Sequence, residues 1–181
     1  MKEFPVVYPT KEEKKWVDDY VKKISEIYFG PEKPKIEPDY DAKLPYGVGG
    51  VTISKCSPEG CYPYEIKINK DLYEMDTFRR LTPVIHEKTH EAHITNLPYL
   101  QLVLPEWFIE GLTVYTNVEP LIKSDNFKYA AAYLDSISSE YRNWYGQVRE
   151  FAKKVSLPEF LREANRIGEK YSEYFVREVN N

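Results

Sequence analysis

An α+β fold is predicted, with a small N-terminal mixed sheet or hairpin packed on one central helix and a helical C-terminal part. Three observations carry it. Apolar residues recur at three-to-four spacing over most of the chain, and period-two alternation is confined to residues 51–68. The order is helix, strands, then helices, without the regular strand–helix alternation of a parallel sheet. The 181 residues read as a single domain, 1–181. Its parts are an N-terminal helix and extended connection (1–47), a central part (48–118) and a helical C-terminal part (119–181).

Thr10 and Glu13 form a capping box ahead of Val17, Val21, Ile24 and Tyr28, an apolar stripe at helical spacing that stops at Gly30. This predicts a helix over 11–29 with a glycine C-cap. Residues 30–47 carry Pro31, Pro34, Pro38 and Pro45 among charges and read as an extended surface connection. Val51 and Ile53, then Tyr64, Ile66 and Ile68, alternate with polar residues and predict two strands. Cys56 and Cys61 enclose Ser-Pro-Glu-Gly, a turn sequence, so the strands form a hairpin or a widened loop.

From Asp71 the period turns helical. Asp76 or Thr82 can cap a helix that covers 83–96 and ends near Asn96-Leu97-Pro98. A leucine-rich loop leads to Pro105, which starts a second helix at about 106–116. The remainder is helical from Asp125 to about Val155, and again from Ser156, with Glu159 completing a capping box, to about 179.

Apolar residues make up 42 % and charged residues 30 %, a globular balance. No stretch approaches the roughly 18–20 apolar residues that cross a bilayer. The start, MKEFPVVYPTKEEKKW, has no apolar leader, so the expected compartment is the cytoplasm, or the exterior if a signal has been removed. The 25 basic and 29 acidic residues are interspersed and net −4, which argues against nucleic acid or an anionic membrane as main partner. Sixteen Tyr, 13 Pro and a charge complement drawn mostly from Lys and Glu are compatible with a thermophilic source. Nothing in the pattern sets an oligomeric state.

All three histidines lie in one run, His86-Glu-Lys-Thr-His-Glu-Ala-His93, whose first five residues match H-E-x-x-H. On a helix, positions i and i+4 are about 40° apart in azimuth and about 6 Å apart along the axis. His86 and His90 can therefore aim two imidazoles at one ion, with Glu87 beside them as a base for a water on that ion. Zinc suits this donor set, one ion per chain. Glu110, twenty positions beyond His90 on a separate helix, is the expected third ligand, and Glu106, one turn earlier, is the runner-up. Trp107, Phe108 and Leu112 would pack around Glu110, and Gly111 would admit a close helix neighbour. His93 shares the ligand azimuth but lies about 10 Å beyond His86 along the axis, so it would line the cleft, contact substrate or hydrogen-bond near the helix end.

The pairing of HEKTH with WFIEGLTVY after this interval resembles the gluzincin clan of zinc metallopeptidases, more closely its small peptidase-MA-like and minigluzincin members. The resemblance covers about residues 50–118 and implies a zincin-like fold. It implies His86, His90 and Glu110 as zinc ligands, Glu87 as general base, and peptide or protein as substrate. It also implies an edge strand before the active-site helix that binds extended peptide, a role that falls to Tyr64–Asn69, with Tyr64, Ile66 and Ile68.

The chain departs from the family in two places. No histidine follows His93 to stabilise an oxyanion, so a tyrosine takes that role; Tyr115, Tyr133, Tyr141 and Tyr145 are candidates, with Tyr141 and Tyr145 ranked first. Val114 stands where several relatives carry an acid that holds a ligand histidine, so that support must come from another residue or a backbone carbonyl.

Cys56 and Cys61 are expected to form a loop-closing disulfide in an oxidising or extremely thermophilic setting. A Cys2His2 site with His86 and His90 is the rival, disfavoured by an interval about twice that of a zinc finger. The expected function is zinc-dependent peptide-bond hydrolysis. The alternative is a latent or inactive zinc-binding relative acting as a regulatory or protein-binding module.

Overall fold

A computed structural model describes residues 8–174. Residues 1–7 and 175–181 lie outside the described part, and with them the first residues of the expected leaderless start and the last of the helix expected to reach 179.

The first helix, α1 (Lys11–Tyr28), starts from Thr10 with both arms of the capping box formed. Its Val17, Val21 and Ile24 are fully buried against the next long helix. Gly30 follows the C-cap because the chain there passes Asn96, whose Oδ1 a Cβ would approach to 2.4 Å. The connection that follows is not wholly extended surface chain. It holds a strand, β1 (Asp39–Ala42), which sequence Asp-Tyr-Asp-Ala does not announce because Asp and Ala are poor strand formers.

β2 (Gly50–Ser57) and β3 (Gly60–Asn69) form a tight antiparallel hairpin in which Cys56 faces Cys61 across the ladder and is disulfide-bonded to it. The register slips between Ile53 and Ser54, which pair with Glu65 and Pro63, so Tyr64 is an extra residue. β1 adds in parallel to the far side of β3, giving the order β1-β3-β2. β3 is thus the central strand, with Ile66 and Ile68 fully buried, and β2 is an edge. Asn69 ties down the chain before β2: its N–H donates to the Gly49 carbonyl and its side-chain amide to that of Val48, both at 2.9 Å.

After a short 3-10 turn (Lys70–Glu74), α2 (Thr77–Asn96) begins at Asp76, whose side chain accepts from the Arg79 N–H at 3.1 Å. The earlier of the two expected starts is used, and Pro83 sits inside the helix. Every residue from Val84 to Ile94 is buried, because α1, α4, α5 and the β2–β3 hairpin surround α2. A one-turn helix, α3 (Leu100–Val103), replaces part of the leucine-rich loop. α4 (Glu106–Lys123) runs two turns beyond its expected end. The predicted helix over 125–155 is two helices, α5 (Phe127–Ser136) and α6 (Ser139–Ala152), broken at Ile137-Ser138. Ser138 caps α6, accepting from the Tyr141 N–H, while Arg142 donates to the Leu134 and Ile137 carbonyls at the end of α5. α7 (Leu157–Lys170) closes the molecule against α3. No helix of the described residues is long and apolar enough to cross a membrane.

α4 and α6 meet at Gly111, where a Cβ would lie 2.7 Å from the Trp144 carbonyl oxygen and 3.0 Å from Val148 Cγ2. The obstacle is helix backbone and a fully buried valine, so neither can yield by a simple rotamer change. Gly111→Ala is therefore expected to destabilise the protein by about 1–3 kcal/mol, the usual cost of overpacking. A lower urea midpoint with an unchanged slope checks this.

Candidate metal centre

A helix buried on all sides normally carries apolar residues all round, yet the buried part of α2 contains Thr82, His86, Glu87, Lys88, Thr89, His90, Glu91 and His93. Buried polar groups persist only where partners satisfy them. Lys88 reaches Asp18 of α1 at 3.2 Å and donates to the Ile36 carbonyl at 3.0 Å. Glu91 accepts from the backbone N–H groups of Lys35 and Ile36. These two charges clamp the chain before β1 onto one side of α2. On another side, Thr89 reaches Asn117 Oδ1 on α4 at 2.8 Å.

His86 and His90 face α4. Their Nε2 atoms are 3.1 Å apart, and Glu110 Oε2 lies 2.9 Å from the first and 3.2 Å from the second. The three form a cluster that could hold a metal ion. Each imidazole is held from behind through its other nitrogen. His86 Nδ1 is 3.0 Å from the Tyr133 hydroxyl, which also accepts from Asn117 Nδ2 at 2.9 Å. His90 Nδ1 is 2.9 Å from His93 Nε2. With both Nδ1 atoms engaged, the Nε2 lone pairs are left to converge beside a carboxylate oxygen, which is the donor chemistry a divalent cation needs. The 2.9–3.2 Å edges of this triangle are close to the roughly 3.3 Å ligand spacing that zinc–nitrogen bonds of about 2.0–2.1 Å impose.

The electrostatics agree. Burial alone would strip His90 of its charge, but the Glu110 carboxylate, by charge and hydrogen bond, and then Glu87 hold it above the ordinary imidazole range. Burial would raise Glu110 in turn, but His90 and then His86 hold it well below the usual carboxylate range. The same carboxylate that favours a proton on His90 would favour a cation among these donors.

The triangle opens into a cleft of about 930 Å³. One wall is the chain from Gly47 to Thr52, the other the α5–α6 break with Ser136, Ile137 and Tyr141. Glu87 is on the β2 side, where Thr52 Oγ1 donates to its Oε2 at 2.7 Å. Gly50 makes room for it, since a Cβ there would sit 2.7 Å from Glu87 Cγ, and Gly49 fits against Pro83 in the same way. Tyr141 is half-buried in the cleft with its ring 5.7 Å from that of His86. Burial, then Glu110 and Glu87, push its phenol up, so it stays protonated at neutral pH.

Several expected site residues lie elsewhere. Tyr145 donates to Glu119 Oε1 at 2.8 Å in the α4–α6 interface, where Arg149 meets the same oxygen, and it is absent from the cleft lining. His93 is fully buried beneath His90, so it neither lines the cleft nor can touch a substrate. Ile66 and Ile68 belong to the core and Tyr64 is an exposed bulge beneath Lys55; the strand bordering the cleft is β2. The reason is β1, whose pairing makes β3 central. Phe108 packs on Phe151 and Phe160 rather than around Glu110, and Trp107 on Phe108. Glu106 lines the cleft outside the triangle. The disulfide withdraws Cys56 and Cys61 from the rival Cys2His2 site.

Sequence reasoning missed Thr52 and Asn117, and it weighed Tyr133 only as an oxyanion donor. Asn117 had a signal, since Glu110, Thr113 and Asn117 share a helix face at i, i+3 and i+7. The Gly49-Gly50 pair could have marked the close approach of β2 to α2. Tyr133 had none, because its place behind His86 is set by how α5 packs.

The chain is expected to bind one divalent ion, lost in His86→Ala and Glu110→Ala, as elemental analysis after dialysis would report. Because His90 is held protonated below its raised pKa, uptake must release a proton and affinity must fall as pH drops through that range; calorimetry in buffers of different ionisation enthalpy checks the sign. Compared with protein-family models, curated proteins and solved structures, the chain finds no match, so the functional reading rests on the chemistry of this site.

Proposed function

We propose that the chain is a zinc-dependent peptidase of gluzincin type that hydrolyses peptide bonds in extended substrates. The observation that carries the reading is the convergence of His86, His90 and Glu110 at a cleft that also presents the Glu87 carboxylate. Bound there, zinc would supply Lewis-acid chemistry, polarising a carbonyl and acidifying water.

The residues divide the remaining work. β2 is the open edge beside the cleft, so an extended peptide can add to it by backbone hydrogen bonds. Thr52 holds Glu87 Oε2, which orients the carboxylate and leaves Oε1 to accept a proton from the attacking water. The water oxygen bonds to the carbonyl carbon, the C–N bond breaks, and Glu87 returns the proton to the leaving amine. Tyr141, kept protonated, donates from the opposite wall to the developing oxyanion. A carboxylate and an amine leave.

A peptide library should be cleaved by the zinc-loaded protein and spared after chelation; an intact library under both conditions would favour the latent, protein-binding alternative. Glu87→Gln should keep stoichiometric metal while turnover falls by about 10²–10⁴. Undiminished turnover would remove Glu87 as the base. Tyr141→Phe should lower kcat by about 10²–10³ with little change in KM, read from steady-state kinetics.

A further inference from the structure

We propose that His93 is a positioning residue of the metal centre, accepting the Nδ1–H of His90 and thereby fixing that imidazole with its Nε2 toward His86 and Glu110. The inference rests on the metal reading above and deepens it by naming what orders the second ligand.

His93 stands one turn after His90 on α2, and the Nδ1-to-Nε2 distance is 2.9 Å. Two neutral imidazoles joined in this way need one donor and one acceptor. When His90 gives its Nε2 lone pair to a cation, its proton resides on Nδ1, and His93 Nε2 must be the acceptor. His93 then carries its own proton on Nδ1. That atom has no hydrogen-bond partner among the described residues, and the residue is fully buried with its ring 5.9 Å from that of Phe29. Leaving a buried polar atom unpaired is unfavourable. His93 thus leaves one buried nitrogen unpaired while its other nitrogen serves His90, as a residue kept for its acceptor would.

Among the described residues no other group does the work. Thr113 Oγ1 is 3.5 Å from His90 Nδ1, the limit of a hydrogen bond, and donates to the Ile109 carbonyl at 2.9 Å. Val114 is buried in the core and offers no acid. His86 has its own arm, through Tyr133 and Asn117. Both arms are neutral, so the ligand imidazoles are less basic than carboxylate-backed ones would be.

The test compares the full chain with His93→Leu and His93→Gln, using cobalt(II) and zinc alone as probes. His93→Leu removes the acceptor and should weaken metal affinity about 10–100-fold and alter the visible cobalt spectrum. His93→Gln places an acceptor oxygen at similar reach and should recover most of the affinity. In the parent loaded with zinc, two-bond proton–nitrogen couplings should assign the Nδ1–H tautomer to both His90 and His93, a reading that needs no variant to fold. Parental affinity and cobalt spectrum in His93→Leu, or an Nε2–H tautomer at His93, would overturn the proposal with the metal reading intact. A parent chain that takes up no ion would instead remove the metal reading itself.

Discussion

Two imidazole nitrogens and a carboxylate oxygen held within 3.2 Å of one another are the constraint on which the rest of this molecule depends. Three lone-pair donors that close repel unless a proton or a cation lies among them. The fold nonetheless builds rigid supports that press them together. α2 supplies both histidines from consecutive turns, α4 supplies the acid, and Thr89–Asn117 locks the two helices across their contact. Hydrogen-bonding partners behind each imidazole prevent the rings from turning away.

The polarity of the central helix has a second source. Lys88 and Glu91 are buried, and their partners belong to α1 and the chain before β1, so the groups that look like a solvated face in sequence are the clamps that wrap the N-terminal part around α2. On the opposite flank, Gly49 and Gly50 let β2 settle against Pro83 and Glu87. The strand edge, the base candidate and the His86–His90–Glu110 triangle are therefore brought to one cleft by backbone proximity rather than by long flexible side chains. That arrangement suits the proposed hydrolysis of an extended peptide, because substrate, base and Lewis acid must be held in fixed relation.

Much of this was readable from local pattern. The Thr10–Glu13 box, the strand alternation and the H-E-x-x-H spacing depend on neighbours within a turn or two, and α1, the hairpin and the paired histidines follow them closely. Glu110 was reachable from a glycine and an acid on the next helix. What the sequence could not convey is what depends on remote packing. β1 has one strand-favouring residue, Tyr40, between poor strand formers and exists because β3 offers it an edge; its pairing covers the outer side of β3 and leaves β2 as the open edge beside the cleft. Tyr141 and Tyr145 share a helix face, yet Glu119 of α4 captures the second and leaves the first to the cleft. His93 shares the azimuth of His86, and only its depth along the axis takes it beneath His90.

X-ray absorption at the zinc edge of the loaded chain tests the central claim most directly, because it reports the atoms around the ion without requiring turnover. The account predicts a low-coordinate shell of nitrogen and oxygen at about 2.0–2.1 Å, with multiple scattering from two imidazoles and no sulfur. A sulfur shell near about 2.3 Å, or a shell of oxygen with no imidazole signature, would contradict it.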